Sequence, residues 1–175
     1  AETKRISNLV GQLREIYRPS TSKTESSFNL ISVVSQVQSL LQGQLATGKV
    51  EWVLDPPPDG QWETRGDKDQ IKQVFINICT NAIEAMQPDG GRLELIFKQG
   101  SPGSNEVGVL VRDSGPGIPP EYTDRLFEPF QTTKVKGSGL GLAISYEIIQ
   151  RHHGRLTARN YGQGAEFGVW LPLSS

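Results

Sequence analysis

The sequence predicts an α/β chain, an α+β arrangement built around one main domain, on three observations. Apolar residues recur every three or four positions at Leu30, Val33, Val34, Val37, Leu40 and Leu41, and again at Ile71, Val74, Phe75, Ile78, Ala82 and Ala85, as on one face of a helix. Short β-branched runs, Val107 to Val111 the plainest, follow these stripes and are bounded by glycine-containing turns. A chain of 175 residues can bury one sizeable core and would be cramped as two.

In chain order, Ile6, Leu9, Val10, Leu13, Ile16 and Tyr17 form a first helical stripe ending before Pro19. It either packs on the domain's own surface or is half of a dimerisation interface, since positions 6, 10, 13 and 17 follow coiled-coil spacing. Ser20 to Ser27 reads as a polar linker. Asn29 caps the second helix, Val50 to Leu54 reads as a strand before Pro56-Pro57-Pro58, and Gln61 to Thr64 as a short return strand. Asp67 or Asp69 opens a helix to about Met86, stopped by Pro88-Asp89-Gly90-Gly91. Arg92 to Lys98 and Glu106 to Arg112 pair as strands; a helix runs from Leu142 to about Arg151. Leu156 to Asn160 and Glu166 to Leu171 close the chain as a hairpin.

Charge narrows the partners. With 18 Lys and Arg against 19 Asp and Glu and no long basic block, nothing recommends nucleic acid or an anionic membrane. The single cysteine, Cys79, falls in a helical apolar pattern and is expected in the core, which fits a reducing, cytosolic compartment. No apolar run reaches the length that spans a bilayer. A chain starting Ala1-Glu2-Thr3 reads as processed or as a piece of a longer protein, which could itself carry membrane segments.

The chemistry concentrates between Asp113 and Leu142. Asp113-Ser114-Gly115-Pro116-Gly117-Ile118 carries a strand into a turn that places a carboxylate. Gly137-Ser138-Gly139-Leu140-Gly141-Leu142 opens a helix, and glycines there leave backbone N–H groups unobstructed at an end that favours anions. On the helix before them, Gln73, Asn77 and Asn81 stand one turn apart beside the apolar stripe. Asparagine is a poor helix former, so these amides either cap neighbouring loops or offer an oxygen to a hard cation such as Mg²⁺.

With the asparagine helix, the two glycine turns and the last hairpin in this order, the chain resembles the catalytic and ATP-binding domain of bacterial sensor histidine kinases, over about Asp67 to Leu173. Gln73-Val-Phe-Ile-Asn77-Ile-Cys-Thr-Asn81-Ala-Ile-Glu-Ala is similar to that family's N box, Asp113-x-Gly115-x-Gly117 to its G1 box, and Gly137-x-Gly139-Leu140-Gly141-Leu142 to its G2 box. Phe127-Glu128-Pro129-Phe130 resembles its F box, with Thr132-Thr133-Lys134 as in the nitrogen-regulator-like branch.

The resemblance implies the Bergerat ATP-binding fold, a two-layer α+β sandwich whose mixed sheet carries helices on one face. It implies ATP and Mg²⁺ as cofactors. The metal would sit on Asn81, with Asn77 alongside, and Asp113 would accept from the adenine amino group within the Gly115–Gly117 turn. The backbone of Gly137, Gly139, Leu140 and Gly141 would hold phosphates. Residues Pro119 to Lys136 would form a lid pinned by Phe127 and Phe130, with Lys134 or Lys136 on a terminal phosphate. Residues 1–27 would be the end of a dimerisation helix plus linker, and residues 28–175 the catalytic domain. The implied partners are the protein's own histidine-bearing dimerisation domain, as part of a homodimer, and a response regulator receiver domain.

Two departures stand out. Ala165 follows Gly164 where the family often has threonine. The family's phosphoacceptor histidine has no counterpart here, since His152 and His153 lie near the end of the last helix. Competing functions on the same implied fold are the ATPases of DNA gyrase, MutL and the heat-shock chaperones, and the serine kinases of the anti-sigma type. The former use a glutamate four residues before the metal asparagine; here Asn77 stands there and cannot take a proton, which favours transfer to a protein over hydrolysis.

Overall fold

The computed structural model describes residues 25–55, 61–132 and 138–174. In chain order these form β1 (Ser26–Asn29), α1 (Leu30–Gly48), β2 (Val50–Asp55), β3 (Glu63–Gly66), α2 (Lys68–Ala85), β4 (Gly91–Gln99) and β5 (Glu106–Asp113). A single turn, α3 (Pro120–Thr123), then α4 (Gly141–Arg151), β6 (Arg155–Tyr161) and β7 (Gly164–Pro172) complete them. The main sheet has five strands in the order β2-β4-β5-β7-β6, with β2 parallel to β4 and the other neighbours antiparallel. It is therefore mixed, as expected.

Register and the two-residue period of strands make one face of this sheet apolar. Leu95, Val111, Phe167 and Ala158 form one cross-strand row and Phe97, Val109, Val169 and Leu156 the next. Against that face lie the helices, with α2 between α1 and α4. Phe75, Ile71 and Ile78 of α2 are fully buried with Val33, Val34 and Leu30 of α1 and Ile149 of α4. Burial of each such side chain contributes about 1.5–3 kcal/mol, and α2 shares its buried face with both other helices. Cys79 is buried with them, and burial pushes its thiol up to about 12, so it stays protonated core, as expected.

The other face of the sheet is charged. Glu94, Arg112, Glu166 and Arg159 stand in one cross-strand row, with Arg112 3.7 Å from Glu94 and 2.7 Å from Glu166, and Arg159 2.6 Å from Glu166. Burial alone would raise the Glu166 carboxyl, but the hydrogen bonds and charges of Arg159 and Arg112 outweigh it and hold it below the usual range.

The helix starts follow the sequence. Asn29 Oδ1 accepts from Ile31 N–H (2.9 Å), and Asp67 Oδ1 accepts from Asp69 N–H (2.9 Å) and Gln70 N–H (3.2 Å), so Asp67 rather than Asp69 is the cap. α1 runs further than its apolar stripe, to Gly48, where Lys49 turns left-handed at φ 53°.

Two readings change. The return strand pairs not with β2 but with β1, which includes Ser26 and Ser27 of the expected linker. This ribbon is fastened to the end of the sheet: Thr64 Oγ1 donates to Pro172 O (2.8 Å) and Ser174 N–H to Glu63 O (2.8 Å). Composition misleads there because a four-residue strand needs only backbone partners, which lie far along the chain. The expected helix from Ile6 to Tyr17 lies outside the described residues.

Candidate functional site

α2, the turn after β5 and the start of α4 enclose a cavity of about 480 Å³. Asn77, Asn81, Asp113, Gly117, Gly139 and Gly141 all line it. Three stretches read separately in the sequence therefore meet at one place.

At one end lies Asp113, the last residue of β5. Its Oδ1 accepts from Gly115 N–H (2.9 Å) and from Ala165 N–H of β7 (3.3 Å). The second carboxylate oxygen has no hydrogen bond among the described residues. Burial raises this carboxyl above its ordinary range, and the two N–H groups pull it part of the way back. The site thus offers one fixed, underused acceptor. Gly115 serves by holding that carboxylate rather than by lining the cavity. Ala165 contributes through its backbone N–H, which any residue but proline at that position would supply.

The other end is the start of α4. Its cap position, Leu140, makes no side-chain cap hydrogen bond to the helix, so the first turn keeps backbone donors for an anion. Leu140 has its side chain fully buried in the core, and its N–H donates to Ser138 Oγ (3.3 Å). Gly141 stands so close to the Asn77 carboxamide that any Cβ there would collide with Oδ1. Asn77 in turn donates through Nδ2 to Ser145 Oγ (2.9 Å), a buried hydroxyl one turn further along α4. Asn77 is therefore a cross-link between the two helices, and Asn81, one turn on, faces the cavity beyond it.

After the Asp113 turn, the described residues as far as Thr132 pass through α3 and a series of turns. Phe127 is half-buried and stacks on Tyr146 of α4 with ring centroids 5.3 Å apart, as a pin should. Phe130 does not: it is 65% exposed, with φ 67°, and is held by its backbone N–H on Gly139 O (2.9 Å). Lys134 and Gly137, expected at the phosphates, and Lys136 lie outside the described residues.

Of the two histidines, His152 accepts at Nε2 from Asp67 N–H (3.0 Å) and is bonded at Nδ1 to Ile148 O (2.8 Å). Only the neutral ring protonated at Nδ1 meets both partners. It ties the end of α4 to the cap of α2, remote from the cavity. Sequence reading missed Ser145, the Ala165 N–H and Asn160, whose carboxamide bonds the backbone of Ile118. A serine inside an apolar helix face was the one available signal, and it says that a partner exists, not which.

The family described as Histidine kinase-, DNA gyrase B-, and HSP90-like ATPase matches residues 66–175. Sporulation kinase A of Bacillus subtilis (strain 168) is 34% identical over 173 residues, 98% of this chain and 28% of that protein. Sensory histidine kinase/phosphatase NtrB of Escherichia coli O157:H7 is 34% identical over 179 residues, 98% of this chain and 50% of that protein. The chain thus spans half or less of the length of these curated relatives. Among solved structures, the nucleotide-free catalytic domain of histidine kinase ThkA matches with a TM-score of 0.74 at 32% identity, over 85% of this chain and 95% of that one. ThkA in complex with the response regulator protein TrrA matches at 0.77 and 28% identity, over 98% of this chain and 49% of that one. The residues that line the cavity, the two glycine turns and every strand of the main sheet except β2 fall within the matched segment, and the chain belongs to the histidine kinase-, gyrase B- and HSP90-like ATPase family, on its histidine kinase branch.

Proposed function

We propose that this chain is the catalytic part of a sensor histidine kinase: it binds Mg²⁺·ATP and passes the γ-phosphate to a histidine on a dimerisation helix outside this chain, for relay to a response regulator. The observation that carries the reading is the cavity with a restrained carboxylate at one end and an uncapped helix start at the other. The free oxygen of Asp113 suits an exocyclic amine, and the donors of α4 suit a polyphosphate. Asn81 lies between them, where Mg²⁺ bound largely by phosphates and waters needs only one or two protein oxygens. Lys134 would neutralise charge on the terminal phosphate. We place the domain in the cytoplasm, joined through the residues before β1 to the dimerising part of a homodimer.

Two features favour transfer over hydrolysis. Asn77 stands where a water-activating carboxylate would be needed, and its amide is engaged with Ser145. Glu84, the other carboxylate on the cavity wall besides Asp113 among the described residues, is seven residues further along α2, roughly 10 Å along the axis from Asn77 and the phosphate end.

Incubation with γ-labelled ATP tests the proposal. His152 lies roughly 16 Å along α4 from Gly141 and is committed to Asp67, so it cannot meet the γ-phosphate in line. The chain alone is expected to bind ATP, remain unlabelled and turn ATP over slowly; adding the dimerisation segment with its histidine should produce an acid-labile label. Label on His152 or His153, or rapid ATP hydrolysis by the chain alone, would refute it.

A further inference from the structure

The turn from Asp113 to Ile118 is held at both ends by one hairpin. At its start, Ala165 N–H of β7 donates to Asp113 Oδ1 (3.3 Å). At its end, Asn160 of β6 grips the backbone of Ile118 at two points: Oδ1 accepts from Ile118 N–H (2.6 Å) and Nδ2 donates to Ile118 O (3.0 Å). Asn160 and Ala165 are partners across the β6–β7 hairpin, so the two grips have a fixed separation. A carboxamide that satisfies both polar groups of one residue does what a neighbouring strand would do, and here no strand follows.

This grip accounts for Gly117. With φ 78° the residue is left-handed, and a Cβ on it would stand 2.7 Å from Asn160 Oδ1 and 3.3 Å from the carbonyls of Gln163 and Gly164. Glycine therefore lets the turn lie down on the hairpin. Ile118 is then buried on the cavity wall, on the same turn as the Asp113 carboxylate.

We propose that Asn160 is a positioning residue for the base of the nucleotide. It does not touch the ligand. By fixing Ile118 it sets the apolar wall against which the base lies, at a constant distance from the acceptor on Asp113. The inference rests on the ATP-binding reading above and predicts something that reading does not: losing the clamp should weaken the base end and spare the phosphate end.

Titration calorimetry of the whole chain with Mg²⁺·ATP and Mg²⁺·ADP provides the test, together with amide exchange at Ile118. Asn160→Ala is expected to expose the Ile118 amide to exchange and to weaken ATP and ADP by the same factor. That factor is about tenfold, because binding must then order Ile118 without the two hydrogen bonds that hold it in the free chain. Asn160→Asp keeps an acceptor for Ile118 N–H but puts an oxygen against Ile118 O; intermediate protection and intermediate affinity are expected, and this variant serves if the alanine variant does not fold. Wild-type affinity with a freely exchanging Ile118 amide would overturn the inference, as would a loss confined to ATP, which would point to the terminal phosphate. Failure of the wild-type chain to bind either nucleotide would instead overturn the functional reading.

Discussion

At the scale of single residues, Asp113 shows how a functional group is kept at a cost to the empty protein. Its carboxyl is raised by burial, so the group favours folding while protonated and loses that contribution as pH rises through its folded value. Removing the charge should therefore not harm the unliganded fold. Asp113→Asn is expected to be at least as stable as wild type at neutral pH, and to bind ATP on the order of 10- to 100-fold more weakly. An amide keeps its oxygen on the Gly115 and Ala165 N–H groups and turns a donor toward the donor amine. Thermal melts without nucleotide and a titration with it check both halves; a destabilised variant that still binds ATP would contradict the assignment. Stability lost to the site in the native residue is the usual relation between a binding group and its fold.

At the scale of elements, α2 and α4 behave as one part because two polar cross-links register them. Asn77 to Ser145 joins their middles, and Asp67 N–H to His152 joins the start of one to the end of the other. The two links make different predictions because only the first borders the cavity. His152→Ala should cost about 1–2 kcal/mol of stability by leaving the Asp67 N–H without its partner, with ATP affinity unchanged. Ser145→Ala should cost a similar amount and also weaken ATP, since Asn77 then loses its hold beside Gly141. Urea denaturation and ATP titration of both variants separate them, and an equal effect of the two on ATP affinity would refute the division.

At the scale of the whole molecule, the sheet has one face for packing and another carrying a row of charge. Glu166 sits between Arg112 and Arg159 on the charged face, while its neighbour Ala165 holds Asp113 from the apolar side. Because the Glu166 carboxyl is held below its ordinary range, its contribution to stability is present above the unfolded value of about 4.3 and is lost as pH falls through the folded value. Glu166→Gln should lower stability at neutral pH by about 1–2 kcal/mol and flatten the acid limb of the stability curve. Denaturation from pH 7 to 2.5 reads this directly; parallel acid limbs in wild type and variant would show that another group governs acid unfolding.

What the sequence by itself determined is whatever depends on near neighbours. The stripes of α1, α2 and α4, the cap Asn29, the start of α2 to within Asp67 or Asp69, the strand pair β4–β5 and the last hairpin are all set within a few residues, by periodicity and by turn chemistry. The same holds for the chemical types at the site, because an aspartate leaving a strand and glycines opening a helix act through their own backbone. The tertiary structure decided what each of these meets. β3 found β1 instead of β2, the Ala165 N–H reached Asp113, Asn160 became the partner of Ile118, and Phe130 turned outward. Each of those outcomes depends on a backbone group or a solvent boundary brought close by sheet register across tens of residues. A one-residue change of register would send those side chains to the other face, so no local pattern can carry the information.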